Sequence, residues 1–389
     1  MSDNKTCNTK KNQIVKLGDI LEVLTDYHSN GSYKTLKENV TLLEQPNFAI
    51  MIRTTNFEKN DFRKNLIYIN QQAYNFLSKS KVLHQDILIN KIANARAVYF
   101  MPRLDKPVSL GMNLFLLRIK KNYNKYFIFC ILKYNEKRLR LMAKGTTTKT
   151  ITKDNIKMFQ ILLPPLETQQ KIARTLSVLD QKIENNHKIN ELLHTLAYKI
   201  YEYYFKYKPK NAKLEQIIIE NPKSSIMVKN AQKTQDKYPF FTSGDNTLSY
   251  PKAIIDGRNC FLNTGGNAGI KFYVGKASYS TDTWCIGANE FSDYLYLLLS
   301  SIKTHINQSF FQGTSLKHLQ KNLLKKYPIY MPSAHEIKKF NQIIMPLLTL
   351  ISINTRTSKK LEQIRDFLLP LLLKQQVKPH NKSNHNEKF

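Results

Sequence analysis

Gly145-Thr146-Thr147-Thr148-Lys149 opens a stretch that returns later in the chain as Gly313-Thr314-Ser315-Leu316-Lys317. The two copies run in step without a gap over 145–206 and 313–374, at a constant offset of 168 residues, and 13 of 62 positions are identical. Lys149, Lys153 and Lys157 match Lys317, Lys321 and Lys325; Ile161 and Pro164 match Ile329 and Pro332. Further on, Lys171, Leu179, Ile183, Asn186, Leu193 and Lys206 match Lys339, Leu347, Ile351, Asn354, Leu361 and Lys374. Self-similarity at a fixed offset marks a duplicated structural unit. Each copy has one grammar: a Gly-Thr turn, a Lys-rich stretch, a short apolar strand (Phe159–Leu163; Tyr327–Met331), a proline, and a long helix. A proline ends a strand and suits the first turn of a helix.

The helices read in heptads. Ile172, Leu176, Leu179, Ile183, Asn186, Asn190, Leu193, Ala197, Ile200 and Tyr204 alternate at spacings of four and three. So do Phe340, Ile344, Leu347, Ile351, Asn354, Ser358, Leu361, Arg365, Leu368 and Leu372. Such alternation is the seam of a coiled coil. The second seam is more polar at its middle and carries Pro346 and Pro370, and Pro346 is expected to kink or delay its helix. Ahead of each repeat lies a variable segment, 14–144 and 211–312, of short strands and turns with interspersed helices. Both open on a Leu-led start (Leu17-Gly18-Asp19-Ile20; Leu214-Glu215-Gln216-Ile217). Both carry an Asn-centred apolar run (Ile87–Asn90, then Ala93-Asn94-Ala95; Phe261-Leu262-Asn263, then Gly265–Gly269) and an aromatic-aliphatic stretch (Tyr126–Leu132; Tyr294–Leu299). The expected fold is α+β with a pseudo-two-fold repeat: variable domain, long helix, variable domain, long helix.

The 389 residues carry 60 Lys+Arg against 29 Asp+Glu, a formal charge of +31. That excess calls for a polyanionic partner, and nucleic acid leads because neutralised phosphates release counterions; a ribosome-associated or membrane-surface protein is the other reading. Hydrophobic content of 42% supports real cores. Cys7, Cys130, Cys260 and Cys285 make no CxxC pair, so neither a zinc site nor a disulfide framework is expected. The polar N-terminus and the absence of an apolar run of membrane-spanning length lead to an expectation of a soluble, cytoplasmic protein with no membrane partner. Catalytic motifs are missing as well. Gly275-Lys276 is followed by Ala277, so no phosphate-cradling loop forms. Glu336-Ile337-Lys338 has nuclease-like spacing but sits at a helix start, where an exposed charge pair is expected. No catalytic residue and no metal ligand is expected.

Leu162-Leu163-Pro164-Pro165-Leu166-Glu167-Thr168-Gln169-Gln170-Lys171-Ile172-Ala173, with Leu179-Asp180-Gln181-Lys182-Ile183, resembles the central conserved region of the specificity subunits of type I restriction-modification enzymes. Tyr238–Gly244, Asn263–Gly269 and Ser280-Thr281-Asp282-Thr283-Trp284 resemble part of a target recognition domain of that family. The distal copy departs from the pattern, with Ser333-Ala334-His335-Glu336 in place of the Pro-Leu-Glu-Thr stretch.

The resemblance implies target recognition domains at 1–163 and 209–331 and spacer helices at 164–208 and 332–376, lying antiparallel, with 377–389 a basic polar tail. It implies a non-catalytic chain in which each recognition domain reads half of a bipartite double-stranded DNA target. Two modification subunits would dock on it and restriction subunits would join. S-adenosylmethionine, ATP and magnesium are expected on those partners, and no cofactor on this chain. A stand-alone DNA-binding or anti-restriction protein is the alternative. Amides, hydroxyls and cations in turns suit base edges, which selects Asn90, Asn94, Arg96 and Arg103 in the first domain and Asn263, Thr264, Asn267 and Lys271 in the second. Lys144, Thr146, Lys149, Gln312, Thr314 and Lys317 occupy equivalent places in the two copies and are assigned to phosphates. Leu179, Ile183, Asn186, Leu193, Leu347, Ile351, Asn354 and Leu361 are assigned to the helix-pair seam. Asn186 and Asn354, at the midpoints of 166–206 and 334–374, are expected to face each other.

Overall fold

The computed structural model describes residues 12–58, 60–92, 98–143, 149–231, 237–244 and 246–373. They fall into two compact units, Met1–Asp180 with Glu362–Phe389, and Gln181–Leu361.

In the first unit, β1 (Gln13–Lys16) is followed by β2 (Leu21–Asp26), β3 (Ala49–Ile52), β4 (Tyr68–Ile69), β5 (Lys81–Val82), β6 (Ile87–Asn90), β7 (Val98–Phe100), β8 (Val108–Leu110) and β9 (Leu114–Ile119). Then come α1 (Lys125–Tyr134), β10 (Gln160–Leu163) and α2 (Leu166–Tyr201). The main sheet has the order β2-β9-β6-β7, and a second sheet runs β4-β3-β8-β5 with β3 and β8 parallel. Strand alternation assigns the two faces. Ile87, Ile89, Phe115 and Leu117 join Phe127, Ile128 and Ile131 of α1 in one core. Leu88, Leu114 and Leu116 join Ile52, Val108 and Leu110 of the second sheet in another. β1 pairs antiparallel with β10, which delivers the chain to Pro164 and α2. Gln169 of the quoted motif is buried there; its amide donates to the Pro164 carbonyl at 2.8 Å and accepts from the Asn124 amide at 3.0 Å, while Asn124 caps α1. The motif is thus a lock between a strand exit and two helix starts.

The second unit repeats this plan. β11 (Ala212–Lys213), β12 (Ile219–Glu220), β13 (Tyr238–Phe241), β14 (Leu248–Tyr250), β15 (Arg258–Asn263), β16 (Ile270–Val274), β17 (Ser278–Tyr279) and β18 (Thr283–Gly287) lead to α3 (Ser292–Ser301), β19 (Phe311–Gln312), β20 (His318–Leu319), β21 (Pro328–Ile329) and α4 (Ala334–Leu373). Its main sheet is β12-β18-β15-β16 and its second sheet β14-β13-β17, with β13 and β17 parallel. The main-sheet order is that of the first unit, and β14-β13-β17 matches β4-β3-β8 with no strand in the place of β5, so the duplication covers the variable segments too. Leu17 N–H bonds to the Phe159 carbonyl at 2.7 Å and Leu214 N–H to the Tyr327 carbonyl at 2.9 Å, the acceptors lying one repeat apart.

The long helices, expected as segments of their own, divide between the units. Ile172 and Leu176 share the first core with Leu369 and Leu372, and Arg365 bonds to Asp180 at 2.8 Å. Leu179 is half-buried in that unit. In the second unit, Ile183 and Ile351 are buried, Leu193 and Leu347 pack on the core, and Leu361 is half-buried. The pairing is antiparallel, but Asn186 does not face Asn354. Asn186 donates to Ser358 Oγ at 3.2 Å, and Asn354 donates to Asn190 Oδ1 at 2.9 Å. This is a slip of four residues, about 6 Å at 1.5 Å per residue, from the midpoint register. The seam spacings explain it. Read in opposite directions, the two sets of ten seam positions match one to one only when 186 meets 358 and 190 meets 354; the midpoint register leaves every other position without a partner.

A second correction concerns Pro346, which does not delay its helix: α4 begins at Ala334 and continues past Pro346 and Pro370. Proline in a helix loses one hydrogen bond and crowds the carbonyl four residues back; Ile344 and Leu348, on either side of it, are fully buried. A third concerns Glu336, whose partner is not Lys338. Its carboxylate accepts from Ser333 N–H at 2.9 Å while Glu336 N–H reaches Ser333 Oγ at 3.3 Å, a capping box at the start of α4. Lys208 sits 2.5 Å away, and chiefly its hydrogen bond lowers the Glu336 carboxyl to about 2. The departure Ser333–Glu336 is therefore a different way to begin the same helix. Among the described residues no helix is long and apolar enough to cross a membrane.

Candidate nucleic-acid interface

In the second unit the end of β15 leads into the loop Thr264–Gly269, and the two are tied by their own amides. Asn263 N–H bonds to the Gly269 carbonyl at 2.9 Å, and the Asn263 side chain donates to the Asn267 carbonyl at 3.1 Å. A Cβ on Gly269 would lie 2.3 Å from Asn263 Nδ2, so any side chain there would displace the Asn263 amide. Below the loop, Thr264 Oγ1 donates to the Asp282 carbonyl at 2.8 Å and Thr264 N–H bonds to Ser243 Oγ at 3.1 Å. Lys271 Nζ donates to the carbonyls of Thr242 and Gly244 at 2.7 and 2.5 Å. The motifs 238–244, 263–269 and 280–284 are therefore walls of one structure.

Onto this loop the duplicated Gly-Thr segment is stitched. Leu319 N–H bonds to the Thr264 carbonyl at 3.0 Å, Gly266 N–H bonds to the Lys317 carbonyl at 2.9 Å, and Gly265 bridges His318. The segment is a two-stranded ribbon, Phe311 opposite Leu319 and Gln312 opposite His318. Phe311 and Leu319 are buried beneath it, whereas residues 312–318 are exposed. Gly313, at φ +139°, makes the turn; a Cβ there would lie 2.4 Å from the Leu316 carbonyl oxygen.

The first unit makes the same junction. Ile151 N–H bonds to the Lys91 carbonyl at 2.9 Å, and Ile92 bridges Thr150. Ile151 and Leu319 are one repeat apart, so in both units the residue after the Asn that ends the strand bonds to the equivalent position of the duplicated segment. Beside it, Asp26 accepts from Lys91 at 2.6 Å, Lys153 at 2.9 Å and Ser29 at 2.6 Å. Burial alone would push the Asp26 carboxyl up; the hydrogen bonds from Lys91, Ser29 and Lys153 outweigh it and hold the group well below the usual carboxylate range. Lys321, the repeat partner of Lys153, lies over the Trp284 ring at 5.1 Å, and burial lowers its ammonium.

These contacts sort the candidates. Asn90 and Asn263 are only 3% and 6% exposed, and their amides serve the backbone: Asn90 accepts from Ile92 N–H at 3.0 Å. Thr264 and Lys271 are half-buried, and their side chains bond to the carbonyls of Asp282, Thr242 and Gly244, so these four residues tie the loop to the strands beneath it. Arg103 and Asn267 are exposed. Lys149, Gln312, Thr314 and Lys317 are exposed on the duplicated segment. Asn94, Arg96, Lys144 and Thr146 lie outside the described residues. The register of the ribbon puts Gln312 and His318 on one face, and Leu316 is exposed at its turn.

Comparison with known proteins places this geometry. A family model described as the type I restriction modification DNA specificity domain matches residues 9–195 and 210–363. The MjaX type I restriction enzyme specificity subunit of Methanocaldococcus jannaschii is 26% identical over 93% of this chain and 92% of its own length. The MjaIX specificity subunit of the same organism is 25% identical over 60% of this chain and 64% of its own. The crystal structure of a type I restriction-modification S subunit from M. genitalium matches with a TM-score of 0.59 at 16% identity, over 95% of this chain and 97% of that one, a likeness of fold.

Proposed function

The chain belongs to the type I restriction-modification DNA specificity family, the DNA-recognition subunit of such a system, and from that premise we propose that each of its two units reads one half of a bipartite duplex target. The observation that carries this is the junction built twice: in each unit a main-sheet loop is hydrogen-bonded to the same duplicated, lysine-bearing segment. Two equivalent readers on one chain suit two half-sites at a fixed separation. The long helices act as the ruler; 40 residues of α4 make a rod about 60 Å long at 1.5 Å per residue. The exposed lysines Lys149 and Lys317 hold phosphates and position the units, while neighbouring loop side chains carry the sequence information.

In this reading the chain performs no chemistry. Modification subunits docked on it bind S-adenosylmethionine and methylate adenine, and restriction subunits use ATP and magnesium. The test is to exchange residues 211–319 for the matching segment of a relative, express the chain with its modification subunits, and map methylated adenines. One half of the target changes and the other stays; a change in both halves refutes independent readers. A stand-alone DNA-binding protein would instead select the same sequences with equal affinity when the modification subunits are left out.

A further inference from the structure

We propose that the ribbon Phe311–Leu319 is the base-reading element of the second unit, with Gln312 and His318 as its specificity-determining side chains; the proposal rests on the DNA-reading function above. The sequence placed Gln312 on a phosphate and passed over His318. The structure puts the two directly opposite each other across the ribbon, which turns both side chains to one face. Both are exposed, and among the described residues neither side chain has a hydrogen-bond partner. The opposite face is fixed: Phe311 and Leu319 are buried, and the ribbon is bonded to the Thr264 carbonyl and the Gly266 amide.

A two-stranded ribbon that turns free polar side chains outward is an element that a major groove admits. The Gln312 amide offers a donor and an acceptor, which fits the adenine N6/N7 edge, and an imidazole donor fits a purine N7 or O6. Leu316 adds an unusual feature for a solvated turn: it is 57% exposed at the ribbon tip, beside Lys317. An apolar tip suits the methyl group of thymine, with the lysine taking the adjacent phosphate.

The experiment uses the full chain purified with its modification subunits and a pool of randomised duplex DNA, from which bound sequences are selected. Gln312→Ala and His318→Ala are compared with wild type and with Lys317→Ala. Each of the first two variants is expected to lose preference at one or two adjacent positions of a single half-site, by roughly ten- to a hundredfold. The other half and the salt dependence stay as in wild type. Lys317→Ala is expected to weaken every sequence alike and to reduce the salt slope by about 1. The inference is overturned if Gln312→Ala and His318→Ala keep the wild-type consensus, or if they weaken all sequences equally. Thermal melting of each variant controls for folding, since these side chains are exposed. If the wild-type complex selects no consensus, the DNA-reading function itself fails, and the ribbon's role falls with it.

Discussion

Asn263 closes the loop beside the ribbon twice, its N–H on the Gly269 carbonyl and its side chain on the Asn267 carbonyl. Gly269→Ala should drive a methyl group into the Asn263 amide and destabilise the second unit by about 1–3 kcal/mol, the usual range for overpacking, read by denaturant unfolding. Asp26 makes a comparable anchor in the first unit. Its carboxyl titrates below the unfolded value of about 3.9, so its contribution to stability is complete above that value and is lost as pH falls through the lower folded value. Asp26→Asn should therefore be less stable than wild type at neutral pH, and the gap should close as the solution is acidified below pH ~4. Melting temperature against pH for the two proteins checks this; a constant gap contradicts it. Asn90 and Asn263 show what sequence reasoning misses at this scale. Both stood out as asparagines ending apolar runs, but an amide that locks a turn and one that meets a base have the same local sequence. Only burial separates them, and burial depends on strands elsewhere in the chain.

At the scale of the helices, the register was legible but was read at the wrong landmark. Midpoints of the repeat do not fix an antiparallel pair; the spacing of seam residues does, because apolar positions without partners lose burial. The polar level, Asn186 with Ser358 and Asn190 with Asn354, should specify this register at a cost in stability. Asn190→Leu with Asn354→Leu should raise stability by about 1–3 kcal/mol and permit slippage by a turn. Asn186→Cys and Ser358→Cys in that background report the slippage as a reduced yield of one disulfide. Pro346 carries its own expectation. Since α4 continues through it, Pro346→Ala should restore a helical hydrogen bond and stabilise the chain by up to about 3 kcal/mol. Thermal melting of the two proteins checks this, and a neutral or destabilising result contradicts it. The common order of the strands in the variable segments is not legible in the sequence, because the pairings are non-local and two- to six-residue strands carry little periodicity.

For the whole molecule, the charge of +31 sets the behaviour on DNA. If 6–10 phosphates are neutralised, affinity should fall by about 10³–10⁵ between 50 and 200 mM salt, measured by titration of duplex into the assembled complex; a flat response contradicts it. Inserting four residues into α2 adds about 6 Å of helix and rotates the downstream part of the chain by about a ninth of a turn, so the spacing between recognised half-sites should change while the bases in each stay the same. The division of the chain has a further consequence, for its synthesis. The first unit is discontinuous: its core is finished by Leu369 and Leu372, almost 200 residues after Ile172 and Leu176, whereas the second is one uninterrupted segment. On the ribosome, the part made first is therefore completed last. Until the end of α4 emerges, Ile172 and Leu176 of α2 lack the Leu369 and Leu372 that share their core, and exposed apolar surface of this kind is what chaperones and proteases act on. Messages that stop short of Glu362 would yield a folded second unit joined to an unfinished first one, and such products should be cleared by proteolysis faster than the full chain.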